Sequence, residues 1–105
     1  MAVKKQFKTF QELLSGSDVP VLVDFYATWC GPCQMMAPIL EQVKAELKDR
    51  LQVVKIDTEK YPQLASQYHI EALPTLVLFK NGQPQQRIEG FRPAEDLIPL
   101  LQALI

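Results

Sequence analysis

Only two cysteines occur in this chain of 105 residues, which excludes a secreted framework of stapling disulfides. A single histidine, His69, cannot complete four ligands around a metal with one cysteine pair, so no metal site is expected. Excess charge of either sign is missing as well. Eleven Lys and Arg stand against twelve Asp and Glu, leaving nothing with which to grip a nucleic acid backbone. No basic run or basic amphipathic helix is present to hold a membrane surface. No apolar stretch approaches spanning length, and the N-terminal residues lack the apolar region of a secretory signal. Repeats, low-complexity tracts and linkers are absent too. What remains is one ordinary domain over residues 1–105, with 48% hydrophobic residues to build its core. The expectation is a soluble, cytoplasmic monomer of a reducing compartment.

Apolar spacing then divides the chain. Thr9-Phe10-Gln11-Glu12 is a capping box, and Leu13, Leu14 and Gly16 predict one short helix and its stop. Val19 to Tyr26 is an apolar run broken only by Pro20 and Asp24, which suits a strand covered on both faces. From about Gln34 a helical stripe runs through Met35, Met36, Ile39, Leu40, Val43 and Leu47, with a kink expected at Pro38. Met35 and Met36 both read as core. Leu51 to Ile56 reads as a second buried strand, followed by an irregular helical crossover from Asp57 to Gln67 that Pro62 interrupts. Pro74 to Lys80 reads as a third strand, and Asn81-Gly82 marks a tight hairpin into Gln85 to Glu89. A last helix is expected over roughly Ala94 to Leu104, with Pro99 forcing either a bend or a late start near Ile98. Strand, helix, strand, hairpin and helix imply an α/β domain: a mixed sheet with helices on both faces.

The chemistry concentrates at Trp29-Cys30-Gly31-Pro32-Cys33, between the first strand and the long helix. Thiols at i and i+3 share a face of the first helical turn and are close enough to bridge. The sulfur nearer the helix N-terminus sits where the macrodipole stabilises a thiolate. Cys30 is therefore the expected exposed nucleophile for disulfide exchange, and Cys33 the thiol that completes it. Gly31 and Pro32 set the turn, since proline at the first helical positions costs no hydrogen bond.

Asp24 is the second signal. A carboxylate between Val23 and Phe25 in a buried strand has its pKa raised by desolvation, and it can take the proton from Cys33. Lys55 either sits near Asp24 and moderates its charge or is a solvated lysine on an alternating strand. His69 precedes a turn and reads as a surface or helix-end residue.

With these residues, the chain resembles the thioredoxin family along nearly its whole length. The resemblance rests on Trp29-Cys30-Gly31-Pro32-Cys33, Asp24, Lys55, Leu73-Pro74-Thr75, Gly82 and Gly90. The stretches Phe25-Tyr-Ala-Thr-Trp29, Val53 to Pro62 and Ile70 to Pro74 are similar to the y-type thioredoxins of chloroplasts and cyanobacteria. It implies a thioredoxin fold, with a central mixed sheet of about five strands. It also implies a protein-disulfide reductase that needs no cofactor beyond a redox-active Cys30–Cys33 disulfide. Gly31 and Pro32, with Lys55, would tune its poise toward reduction. A cis Leu73–Pro74 bond would pack against the cysteines, with the Leu73 backbone pairing with an extended substrate segment. Trp29, Leu73, Pro74, Gly90 and Phe91 would form an apolar docking rim.

Three positions depart from the common bacterial pattern: Tyr26, Gln34, and Glu89, whose charge falls on that rim. Implied partners are disulfide-containing target proteins and a thioredoxin reductase, either NADPH- and flavin-dependent or ferredoxin-linked. The plastid stroma is the alternative compartment. Two rivals predict otherwise: a glutaredoxin-like enzyme, and an assembly module whose role survives loss of both thiols.

Overall fold

The computed structural model describes residues 9–105, in the order α1 (Phe10–Gly16), β1 (Val21–Tyr26), α2 (Gly31–Leu47), a 3₁₀ turn (Lys48–Arg50), β2 (Gln52–Asp57), α3 (Pro62–Gln67), β3 (Thr75–Lys80), β4 (Gln83–Glu89) and α4 (Ala94–Leu104). The capping box is half visible: the Thr9 hydroxyl accepts the Glu12 amide at 3.0 Å and starts α1.

Among the described residues the sheet has four strands, ordered β2-β1-β3-β4. Three of them match the apolar runs in the sequence, the fourth follows the Asn81-Gly82 hairpin signal, and together they account for four of the strands expected. β1 pairs parallel with β2 and antiparallel with β3, and β3 pairs antiparallel with β4, so the sheet is mixed. Asn81 (φ 53°) and Gly82 (φ 79°) form the two-residue hairpin, both with the positive φ that such a turn requires. β4 carries Pro84 and a register shift opposite Leu78 and Phe79, and proline is tolerated there because the strand is an edge of the described sheet.

Side chains alternate across β1 and β3, so each face of the sheet builds its own core. On one face Leu22, Leu76, Leu78 and Ile88 bury against Met36, Leu40 and Val43 of α2 and Leu97 and Leu101 of α4. On the other, Val21, Val23, Phe25, Val77 and Phe79 pack on Leu14 of α1, Leu64 of α3 and Tyr68, which caps α3. That second core holds an edge-to-face ring cluster: Tyr68 lies 5.3 Å from Phe79, and Phe10 lies 6.0 Å from each. The expected helices on both faces are present.

Several element readings are corrected. α2 begins at Gly31 rather than Gln34, because glycine and proline occupy its first two positions and Cys30 caps it. β2 is not a buried strand: it is an edge of the described sheet, and only Ile56 of its residues is buried. Pro62 does not interrupt α3 but starts it, where its missing N–H costs nothing. No late start occurs near Ile98; α4 begins at Ala94 and continues past Pro99. Burial of Leu97, Ile98 and Leu101, at roughly 1.5–3 kcal/mol per side chain, outweighs the roughly 3 kcal/mol that an interior proline costs. Met35 is 57% exposed, whereas Met36 is fully buried, so only one of the two methionines is core.

Candidate functional site

The chemistry-bearing residues gather at one end of the sheet because of strand direction. β1 runs toward Tyr26 and the cysteines, and antiparallel β3 starts beside it, with Phe25 opposite Thr75. β4 returns to the same end, with Glu89 opposite Thr75.

A tight turn follows β1, in which the Cys30 amide donates to the Ala27 carbonyl at 3.2 Å. Cys30 is the N-cap of α2, and its sulfur accepts the Cys33 amide at 3.2 Å. That N–H points at the sulfur where negative charge would develop on reduction, and the helix dipole adds to it. Cys30 and Cys33 are joined by a disulfide, with Cα atoms 5.2 Å apart. Gly31 and Pro32 between them are exposed. The expected difference in exposure between the cysteines is not found: Cys30 is 5% exposed and Cys33 is 6%. With the bridge closed, the two cysteines form a small buried cluster with Ala27, against which Tyr26 and Leu73 pack.

Asp24 lies on the same face of β1 as Leu22 and is 2% exposed. Its Oδ1 is buried without a hydrogen-bond partner. Burial raises the carboxyl to about 6, and the Lys55 charge works weakly against that rise. Lys55 is directly opposite Asp24 in the β1–β2 register and is itself exposed, so both sequence readings of this lysine hold. Asp24 and Cys33 line one cavity of about 240 Å³, together with Thr28, Gln34 and Lys55. The Gln34 amide spans part of it, donating to the Thr28 carbonyl at 3.1 Å.

The Leu73–Pro74 peptide is cis, and Leu73 packs directly on the cysteine pair. The Pro74 carbonyl accepts the Gly90 amide at 2.8 Å, which fixes the start of β3 to the end of β4. Gly90 has φ 83°, and no atom lies within 4 Å of the position a Cβ would occupy. Backbone conformation, not space, therefore calls for glycine there. Trp29 is 69% exposed beside Cys30, and Phe91, 39% exposed, follows Gly90. Met35 adds a third large apolar side chain one turn into α2 that sequence reasoning assigned to the core. His69, with φ 52°, ends α3 at the surface, the role expected of it. Among the described residues, no cluster of three or more His, Cys, Asp or Glu could hold a metal ion, and no helix is long and apolar enough to cross a membrane.

A family model described as thioredoxin matches residues 1–103. A thioredoxin-like protein of Synechocystis is 67% identical over 105 residues, the full length of both chains. Thioredoxin Y, chloroplastic, of Oryza sativa is 58% identical over 104 residues, covering 99% of this chain and 62% of its own. A bifunctional thioredoxin reductase/thioredoxin of Mycobacterium leprae is 43% identical over 99 residues, covering 88% of this chain and 21% of its own. The chain thus spans less than two thirds of the chloroplastic relative.

Proposed function

The chain belongs to the thioredoxin family, and from that premise we propose that it reduces disulfide bonds in other proteins. It is a thioredoxin-type oxidoreductase with a Cys30–Cys33 redox disulfide, and its likeness to y-type thioredoxins is borne out by the chloroplastic relatives. In the proposed cycle the reduced Cys30 thiolate attacks a target disulfide. A Cys30–target bond forms, the target S–S bond breaks, and the leaving sulfur takes a proton. Cys33 then gives its proton to the Asp24 carboxylate and attacks Cys30. The second target sulfur leaves, the internal bridge closes, and two electrons have passed from the dithiol to the target.

The observation that carries this reading is the shared cavity. It holds a buried, unpartnered carboxylate beside Cys33, the sulfur that must lose a proton late. A carboxyl at about 6 is mostly ionised at pH 7 yet basic enough to accept that proton. Trp29, Leu73, Pro74, Gly90 and Phe91 form the docking rim in this reading, and Gly31, Pro32 and Lys55 tune the dithiol. Residues 1–105 act as one domain, in the cytoplasm or the plastid stroma; the relatives come from both bacteria and chloroplasts. Electrons come from a thioredoxin reductase, a pairing that the Mycobacterium leprae relative carries in a single chain.

The test is reduction of insulin by the prereduced protein. The wild type should cleave insulin's disulfides stoichiometrically, Cys30→Ser should be inert, and Cys33→Ser should remain covalently attached to an insulin chain. A wild-type protein that leaves insulin intact refutes the proposal.

A further inference from the structure

We propose that Arg87 is a positioning residue for protein substrates, tying β4 to the segment that carries Leu73 and Pro74. The inference rests on the function proposed above and concerns how its docking segment is held. The Arg87 guanidinium makes three contacts. Nη1 donates to the Tyr68 carbonyl at 2.6 Å, Nη2 donates to the His69 carbonyl, and Nε donates to Glu89 Oε1 at 3.1 Å. Two successive carbonyls on one fork suit the planar geometry of arginine, which an ammonium cannot reproduce. Glu89 orients the fork from two residues along the same strand face.

The position of these carbonyls gives the strap its effect. Tyr68 and His69 close α3, where the His69 amide donates to Ser66 and the Ile70 amide to Ala65. The next residues, Ile70 to Pro74, belong to no helix or strand and end at the cis bond on the cysteines. Downstream, the segment is pinned by Thr75 Oγ1 donating to the Ala72 carbonyl and by the Gly90 amide on Pro74. Upstream, the side-chain anchor is Arg87. The charge of Glu89, which the sequence placed on the rim, is thereby engaged by a cation of the same strand.

A docking segment fixed at both ends meets an extended partner already ordered, whereas a loose one is ordered anew at each encounter. A small disulfide needs only the Cys30 sulfur and gains nothing from the strap. Prereduced wild type, Arg87→Ala and Arg87→Lys are therefore compared on insulin and on cystine, with amide hydrogen exchange followed from Ile70 to Leu73. Arg87→Ala should slow the second-order reaction with insulin about five- to tenfold, as for loss of charge-assisted hydrogen bonds, and leave cystine within about twofold. Exchange in the segment should accelerate, and Arg87→Lys should restore only part of the insulin rate. Equal slowing on both substrates, no slowing on insulin, unchanged exchange, or full rescue by lysine each overturns the proposal. Wild-type protein that reduces neither substrate refutes the reductase reading, while exchange still reports on the strap.

Discussion

Asp24 carries a stability cost that its chemistry explains. Its carboxyl titrates near 6 in the folded chain against 3.8 for the unperturbed group, because burial disfavours the charged form. Between those two values the folded chain holds more protons than the unfolded one. Stability therefore falls as pH rises from about 4 to about 6, then levels off once both states are ionised. Asp24→Asn removes this dependence. The variant should be up to roughly 3 kcal/mol more stable than wild type at pH 7, with the gap closing below about pH 4. Urea unfolding from pH 4 to 8 measures it, and a gap independent of pH would discard desolvation as the cause. Residues of this kind are legible in sequence because their chemistry is out of place: a carboxylate in an apolar run, two thiols at one helix start. Met35 was not legible. Adjacent positions 35 and 36 both fit a helical stripe, and spacing cannot say which flank meets the sheet.

At the scale of elements, prolines caused most of the misreadings. Pro62 and Pro99 look alike to a propensity argument, yet one starts a helix and the other lies within one on its exposed side. Whether a proline ends a helix depends on what the flanking turns bury, which only the tertiary fold decides. The end of α3 offers a test of local backbone strain. His69 holds φ 52° at the position following the helix cap, and its amide and that of Ile70 make the paired closing bonds usually supported by glycine. His69→Gly should stabilise the chain by up to about 1 kcal/mol, because relief of the left-handed conformation exceeds the added freedom of the unfolded chain. Thermal melting should move up by a few degrees. A lower midpoint would mean that the imidazole contributes more than the strain removes. The Arg87 contacts use backbone carbonyls and survive this substitution.

For the whole molecule, mixed pairing and two-sided cover were legible because a two-residue hairpin must be antiparallel and apolar runs need two faces. The strand order was not, and the gathering of Asp24, Cys30, Leu73 and Gly90 at one end entered only through the family resemblance, not through spacing. That order follows from crossovers that spacing does not encode, and so the Arg87 strap was invisible too. Both cores are built on the same two central strands, with Leu76 and Leu78 facing one and Val77 and Phe79 the other. Neither can melt alone. Denaturant curves from Trp29 fluorescence and from far-ultraviolet circular dichroism should therefore superimpose with one midpoint, and separated midpoints would mean that the faces unfold independently. The flank formed by β4 bears on behaviour in a crowded compartment. A strand whose proline lacks a donor, and whose rungs slip by one, makes a poor template for a foreign chain to zip onto. Zipping of a foreign chain along that border is thus discouraged, which, in the function proposed above, leaves the sulfur-bearing tip as the place where an extended partner meets the protein.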